Sequence, residues 1–365
     1  MKWSLKLGRF AGIDVFVHWT FAILLVWIFL GHLSAGQDTI AALKGIGFIL
    51  ALFSCVVLHE FGHALTARRY GIRTRDITLL PIGGIARLER MPEDPMQELW
   101  VALAGPAVNV IIAAILFGIM AAVHGLPGAS NVELVRGDFV ARLMWVNVTL
   151  IAFNILPAFP MDGGRILRAL LAKRIGRRRA THVAAAVGQG MAILFGIIGL
   201  LYNPFLLFIA LFVYLGAQAE AQMVELSSVI RGLKVRDAMQ TRFRTLSVDD
   251  PLRVAVDELL AGAQQDFPVV GNGQVLGMLR RKDLVKALAE QGREVRVADA
   301  MCHDCPTVYV DHPLERTLEK LRESDCAAVP VMSGDEMVGL LTLENISELV
   351  MVHAALENRG AKRGS

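Results

Sequence analysis

Six apolar stretches separated by short polar loops fill the first two thirds of this 365-residue chain, and shorter segments of mixed character fill the rest. The stretches run from Val15 to Leu33, Gly45 to Arg68, Leu99 to Val123, Leu143 to Leu171, Val183 to Leu201 and Phe205 to Ala219. Crossing a bilayer as a helix takes about 20 predominantly apolar residues, so the pattern predicts six spans. Asn203-Pro204 between the last two is a turn that allows only a tight helical hairpin. Lys2, Lys6 and Arg9 precede the first stretch without a small-residue cleavage pattern after it, which predicts an uncleaved first span.

Basic residues orient the spans. Arg68, Arg69, Arg73, Arg75, Arg87 and Arg90 follow the second stretch, and Lys173, Arg174, Arg177, Arg178 and Arg179 follow the fourth. The opposite loops hold only Lys44, Arg136 and Arg142. Lys and Arg gather on the cytoplasmic side, so both termini are expected there. Composition agrees with a membrane protein: 54% of residues are hydrophobic, 19% are charged and the mean hydropathy is +0.49. A net charge of +3, with no basic stretch interleaved with aromatics, gives nucleic-acid binding no support. Four cysteines do not make a disulfide framework.

One apolar stretch carries chemistry. Gly45 to Leu58 is uncharged, and His59-Glu60-Phe61-Gly62-His63 follows at once. Histidines four residues apart project from one face of a helix, as two neighbouring ligands of a tetrahedral zinc would. The glutamate between them then faces the water that such a metal activates. Ionisable groups at membrane depth are expensive and mark function by default. In the fourth stretch, Asn154 to Arg165 reads NILPAFPMDGGR, with two prolines and two glycines breaking the helix. Such a break is tolerated where the freed backbone faces protein or a watery cavity. At about 1.5 Å rise per residue, Asp162 and the histidine motif reach similar depths, some 10 to 15 Å inside the cytoplasmic boundary. Asp162 then completes a His, His, carboxylate set that leaves a fourth position open.

The last third repeats itself. VRDAM at Val235 returns as VADAM at Val297, FPVV at Phe267 as VPVM at Val329, and GMLRRKDL at Gly277 as GLLTLENI at Gly339, each offset by 62 positions. Pro251-Leu252 returns as Pro313-Leu314 in the same register, which marks a tandem duplication. Each copy reads strand, helix, strand, strand, helix. The pair resembles tandem modules of the cystathionine-β-synthase (CBS) type over Leu233 to Val352. That resemblance implies a soluble α/β domain that holds an adenine nucleotide (ATP, ADP or AMP), with a hydroxyl and an aspartate touching phosphate and ribose. The pattern is split here: the first copy keeps Asp283 but has Arg280 at the hydroxyl position, and the second keeps Thr342 but has Asn345 at the aspartate position. One nucleotide site is expected. For Asp283 the competing expectation is a helix cap.

HExxH on a membrane helix followed by NxxPxxPxDGG resembles the site-2 protease family of intramembrane zinc metalloproteases, M50 type. Six spans ahead of a CBS pair are similar to the branch that includes the sporulation-factor-processing proteases of bacteria. The resemblance implies a multi-pass α-helical membrane protease at 1–222, a linker at 223–234, CBS modules at 235–290 and 297–353, and a tail at 354–365. It implies one zinc on His59, His63 and Asp162, with Glu60 as base and then acid. Pro81-Ile82-Gly83-Gly84 resembles the family's re-entrant segment, in which Gly83 and Gly84 would lie along an extended substrate. Asn154 would hold the substrate backbone or oxyanion. The implied partners are the bilayer and a membrane-tethered protein such as an anti-sigma or pro-sigma factor, with a homodimer formed through the CBS modules. Gly105-Pro106 through Asn109 matches the family's GPxxN and is read as a packing and kink feature. His18 is expected to be structural, and Cys302 and Cys305 are expected to be incidental reduced thiols.

Two other classes compete: a CBS-regulated channel or transporter, in which intramembrane acids and histidines line an ion path, and a non-catalytic relative that binds membrane partners. The intact Glu60 argues against the second, and the absence of inverted repeats among the spans against the first.

Overall fold

The computed structural model describes residues 4–124, 139–262 and 264–361, which divide into two compact units, Met1–Val224 and Glu225–Ser365. Arg136 lies outside the described residues.

The first unit opens with a hairpin, β1 (Ser4–Phe10) and β2 (Ile13–His18). This corrects the expected first span: Val15 belongs to a strand, and helix α1 (Thr20–Ser34) is only 15 residues long. The reason is visible in SLKLGRF and IDVFVH, where polar and apolar residues alternate with the period of a strand. Ala11 and Gly12, at φ 50° and 84°, form the two-residue loop between paired Phe10 and Ile13. Positive φ at both loop positions matches the right-handed twist of the strands. Helix α2 (Thr39–Arg69) begins at Asp38, whose carboxylate accepts from the Ala41 backbone N–H at 2.8 Å. Strands β3 (Thr74–Leu80) and β4 (Gly83–Leu88) follow it. β3 pairs parallel with β2 and antiparallel with β4, giving a four-stranded sheet in the order β1-β2-β3-β4 that leaves β4 on an edge.

Among the described residues five more helices follow: α3 (Pro95–His124), α4 (Phe139–Ile155), α5 (Asp162–Ile175), α6 (Arg177–Leu201) and α7 (Phe205–Ile230), the last residues of which belong to the second unit. Among the described residues four helices, α2, α3, α6 and α7, are long and apolar enough to cross a membrane, whereas α1 and α4 are apolar but shorter. Their outward faces expose Trp27, Leu30, Ile193, Leu200, Phe208 and Leu211, an apolar surface far larger than a protein in water keeps. The fourth predicted span is two helices, because turns at 156–161 separate α4 from α5.

The expected span from Leu143 to Leu171 also contains a charge that carries more weight than its place in the pattern suggested. Arg168 of α5 is fully buried. Its Nε donates to Glu98 Oε1 of α3 at 2.7 Å, its Nη1 donates to Glu220 of α7, and its guanidinium lies 5.0 Å from the Phe159 ring centroid. One cation thus pins three helices together.

In the second unit the duplication is structural. After the short helix α8 (Val235–Ala238), the first copy has β5 (Leu246–Ser247), α9 (Leu252–Ala261), β6 (Phe267–Gly271), β7 (Gln274–Leu279) and α10 (Arg281–Gln291). The second has α11 (Val297–Ala300), β8 (Val308–Tyr309), α12 (Leu314–Glu323), β9 (Ala328–Ser333), β10 (Glu336–Thr342) and α13 (Leu343–Ala361). Leu246 pairs with Val269 and Val308 with Val331, while Val269 pairs with Gly277 and Val331 with Gly339, so the two sheets share one register. The copies meet where Met278 packs with Ala328 and Leu340. Cys305 is bonded to Cys326, which corrects the expectation of a reduced Cys305; Cys302 remains free.

Removing one partner of a buried ion pair leaves an uncompensated charge and costs about 3–5 kcal/mol. R168A is therefore expected to destabilise the detergent-solubilised protein by that amount through the stranded Glu98. E220Q should cost far less, because the Glu220 side chain is 25% exposed. Thermal denaturation of both variants checks the ranking.

Candidate metal centre

His59 and His63 lie one helical turn apart on α2, both buried. Their rings stand edge to face at 81°, with Nε2 atoms 3.0 Å apart. Asp162, the first residue of α5, brings Oδ2 to 3.2 Å from each of those nitrogens. Three donor atoms from two helices therefore converge on one point inside an apolar bundle.

The backbone around them explains why this is possible. A Cβ on Gly105 of α3 would lie 2.2 Å from His63 Nε2 and 2.7 Å from His59 Cε1, so no side chain fits there. A Cβ on Gly62 would lie 2.7 Å from the Ala104 carbonyl oxygen, which shows how closely α2 and α3 cross. The GPxxN segment, expected as packing, is thus also a wall of the centre. On the other side, the chain reverses so tightly before Asp162 that a Cβ on Gly163 would meet the Ile155 and Leu156 carbonyl oxygens at 2.2 Å. One on Gly164 would meet the Phe159 nitrogen at 2.6 Å. The DGG sequence lets the aspartate drop beside the histidines.

The donor set fits a zinc ion. The Val101 carbonyl oxygen lies 2.7 Å from His63 Nδ1. A proton on Nδ1 donating to that carbonyl leaves the Nε2 lone pair free, and such outer hydrogen bonds commonly orient metal-ligating histidines. Without a cation the three converging atoms would crowd lone pairs and charge together, and Asp162 Oδ2 and His59 Nδ1 are buried with no hydrogen-bond partner among the described residues. His59, His63 and Asp162 could hold a metal.

Glu60 is half-buried on the same helix. A Cβ on Gly84 would lie 2.8 Å from Glu60 Cγ and 3.3 Å from its Oε1, so the edge strand β4 passes directly over this carboxylate. Gly83 and Gly84 open β4, paired with Leu80 and Leu79. Asn154 lies in the last turn of α4, half-buried and without a hydrogen bond among the described residues. His18 engages Thr20 Oγ1 at 2.8 Å, a local contact.

In the second unit, Asp283 is held by Arg280, which also reaches Asp325. Thr342 Oγ1 accepts from the Asn345 backbone N–H at 3.1 Å and so caps α13. Both residues expected at nucleotide are thus engaged locally. No motif announces the set of buried Arg168 and Glu98 with half-buried Glu220, although a charge within an apolar stretch is itself a signal of function.

Known proteins resemble this chain. The family model Peptidase family M50 matches residues 47–137 and 131–197, and the CBS domain model matches 235–290 and 297–352. The chain is similar to a zinc metalloprotease of Methanocaldococcus jannaschii, 33% identical over 95% of this chain and 96% of that one. It is similar to stage IV sporulation protein FB of Bacillus subtilis, 23% identical over 66% of this chain and 83% of that one. Among solved structures, a site-2 protease from Methanocaldococcus jannaschii is 35% identical, covering 66% of this chain and all of the other, with a TM-score of 0.44. By the two family models and the Methanocaldococcus jannaschii zinc metalloprotease that matches over nearly its whole length, the chain belongs to the M50 (site-2 protease) family of zinc metalloproteases and carries a tandem CBS pair.

Proposed function

We propose that this hydrolase cuts a peptide bond in or near the membrane segment of a membrane-tethered protein, such as an anti-sigma or pro-sigma factor, in the cell membrane of a bacterium or archaeon. The observation that carries the reading is the convergence of His59, His63 and Asp162 inside an apolar bundle, with the carboxylate of Glu60 beneath an open sheet edge.

In this reading His59, His63 and Asp162 hold zinc. When bound, zinc supplies Lewis acidity that polarises the scissile carbonyl and makes water more acidic. Glu60 takes the proton of the attacking water and returns it to the departing amide nitrogen, acting as base and then acid. A helix hides its peptide bonds, so the substrate must be extended. Backbone addition to an exposed strand edge does this generally, and β4 offers such an edge where Gly84 lets the backbone approach Glu60. Asn154 supplies an amide to the substrate backbone at the point where α4 ends. The arginines at 68, 69, 73, 75, 87 and 90 support a cytoplasmic side for β3, β4 and the termini.

General acid and base catalysis contributes about 10²- to 10⁴-fold. E60Q is expected to lose turnover by that factor while keeping its zinc content. Comparison of membrane proteomes from cells producing wild-type or E60Q protein should show a membrane-tethered protein accumulating uncut. Equal processing in both, with E60Q zinc-loaded, would remove Glu60 from the mechanism.

The tandem modules are proposed to respond to adenine nucleotide, with Thr342 and Asp283 as contacts. Asp283 reaches ribose only when Arg280 releases it. R280S restores the hydroxyl of the family pattern and frees Asp283, so ATP, ADP or AMP should raise the melting temperature of R280S more than that of wild type. No shift in either protein would make the pair a docking module instead.

A further inference from the structure

Cys302 and Cys305 take no part in the protease chemistry, and their spacing alone suggests nothing more than two incidental thiols. The fold adds a third sulfur that spacing does not reveal. Cys326 comes from the segment just before β9, and the sulfur atoms of Cys302, Cys305 and Cys326 all lie within 4.8 Å of one another. Cys305 and Cys326 form a disulfide, and Cys302 is free and half-buried.

The cluster sits at the seam between the two copies. The Cys302 backbone exchanges paired hydrogen bonds with Met278 of β7, 2.8 Å from Cys302 N and 2.9 Å to Cys302 O. A Cβ on Gly277 would lie 2.5 Å from the Cys302 carbonyl oxygen, so the approach of the two backbones depends on a glycine. Cys305 packs beside Met278, Ala328 and Leu340, and Cys326 is buried in the core of the second copy. Arg280 follows β7 directly, and its charge faces Cys302 as well as Asp283 and Asp325.

Three sulfurs so close together can be a disulfide beside one thiol, or joint ligands of a single cation. Clustered cysteines on the cytoplasmic side serve metal binding or redox chemistry more often than structural crosslinking, and soft sulfur donors select thiophilic ions such as Cu(I) and zinc. We propose that Cys302, Cys305 and Cys326 form a site for one soft d¹⁰ metal ion, made available when the Cys305–Cys326 disulfide is reduced. A dithiol reductant supplies two electrons and two protons to the two sulfurs and becomes a disulfide itself. The ion then displaces the three thiol protons and forms three metal–sulfur bonds, and the resulting anionic cluster faces Arg280. An occupied site ties Cys302, held against the first copy, to Cys305 and Cys326 of the second, and so fixes the seam of the CBS pair.

The test uses the full chain in detergent, reduced with a phosphine that is then removed. Titration with Cd²⁺, a thiophilic d¹⁰ probe, is followed by its thiolate charge-transfer absorption. His59, His63 and Asp162 offer no sulfur and are silent in this band. One equivalent should bind to reduced protein and none after reoxidation, and Cu(I) or Zn²⁺ should displace it. Loss of an outer-shell partner costs about 10- to 100-fold in metal affinity, so removal of a ligand in C302S should weaken Cd²⁺ by more than about 100-fold. C326S provides an independent second loss, and C302S retains the disulfide partners, so its fold is checked by recovery of the Cys305–Cys326 bond on oxidation. Absence of a thiolate band in the reduced wild type would overturn the proposal, as would C302S and C326S binding as tightly as wild type.

Discussion

Inside an apolar bundle, three donor atoms can share one point only where the surrounding backbone carries no side chains, and the rest of the membrane unit is arranged around that constraint. Gly105 removes the atoms that would occupy the space against His59 and His63, and Gly163 and Gly164 let the chain reverse within a few residues so that Asp162 arrives from the other side. A methyl group at any of these positions would sit at a distance that real Cβ atoms do not tolerate. The chemistry of the centre is therefore set as much by three glycines as by its three polar residues.

The same logic extends to the edge strand. Gly84 allows β4 to approach Glu60, and the pairing of β3 with β2 and β4 holds that strand in place. The sheet is built partly from the first residues of the chain, so the hairpin of β1 and β2 supports, through β3, the strand that lies over the candidate base. Strand addition depends on a rigid edge, because a mobile one would lose as ordering entropy what it gained in hydrogen bonds.

Much of this was legible in the sequence because its strongest signals are short-range. HEFGH needs only a helix to bring two histidines onto one face, and DGG after two prolines announces a break, so His59, His63 and Asp162 could be grouped before any coordinate was known. The internal offset of 62 positions likewise revealed the duplicated modules. What escaped is of two kinds. The hairpin at Ser4–His18 was hidden because apolar residues at alternate positions of a strand raise local hydropathy just ahead of a true helix, and the two signals merged into one apparent span. The convergence of Cys326 on the CxxC, and of Glu98 and Glu220 on Arg168, comes from residues far apart in sequence, and periodicity carries no information about such pairings.

The Arg168 cluster also explains how the centre keeps its shape in a solvent that offers little help. Packing between helices in lipid lacks a hydrophobic driving force, so small shifts of one helix against another are opposed only by van der Waals contact and polar links. Arg168 lies on the helix that begins with Asp162, and Glu98 on the helix that brings Gly105 against the histidines. Their ion pair therefore joins the two elements whose relative position decides whether the aspartate meets the histidines. Glu220 adds α7 to the same cluster. A buried charge with two carboxylates is costly to form by itself. Its place at the junction of α3, α5 and α7 gives that cost a purpose, because directional hydrogen bonds fix a register between helices that apolar contacts in lipid would leave free to slide.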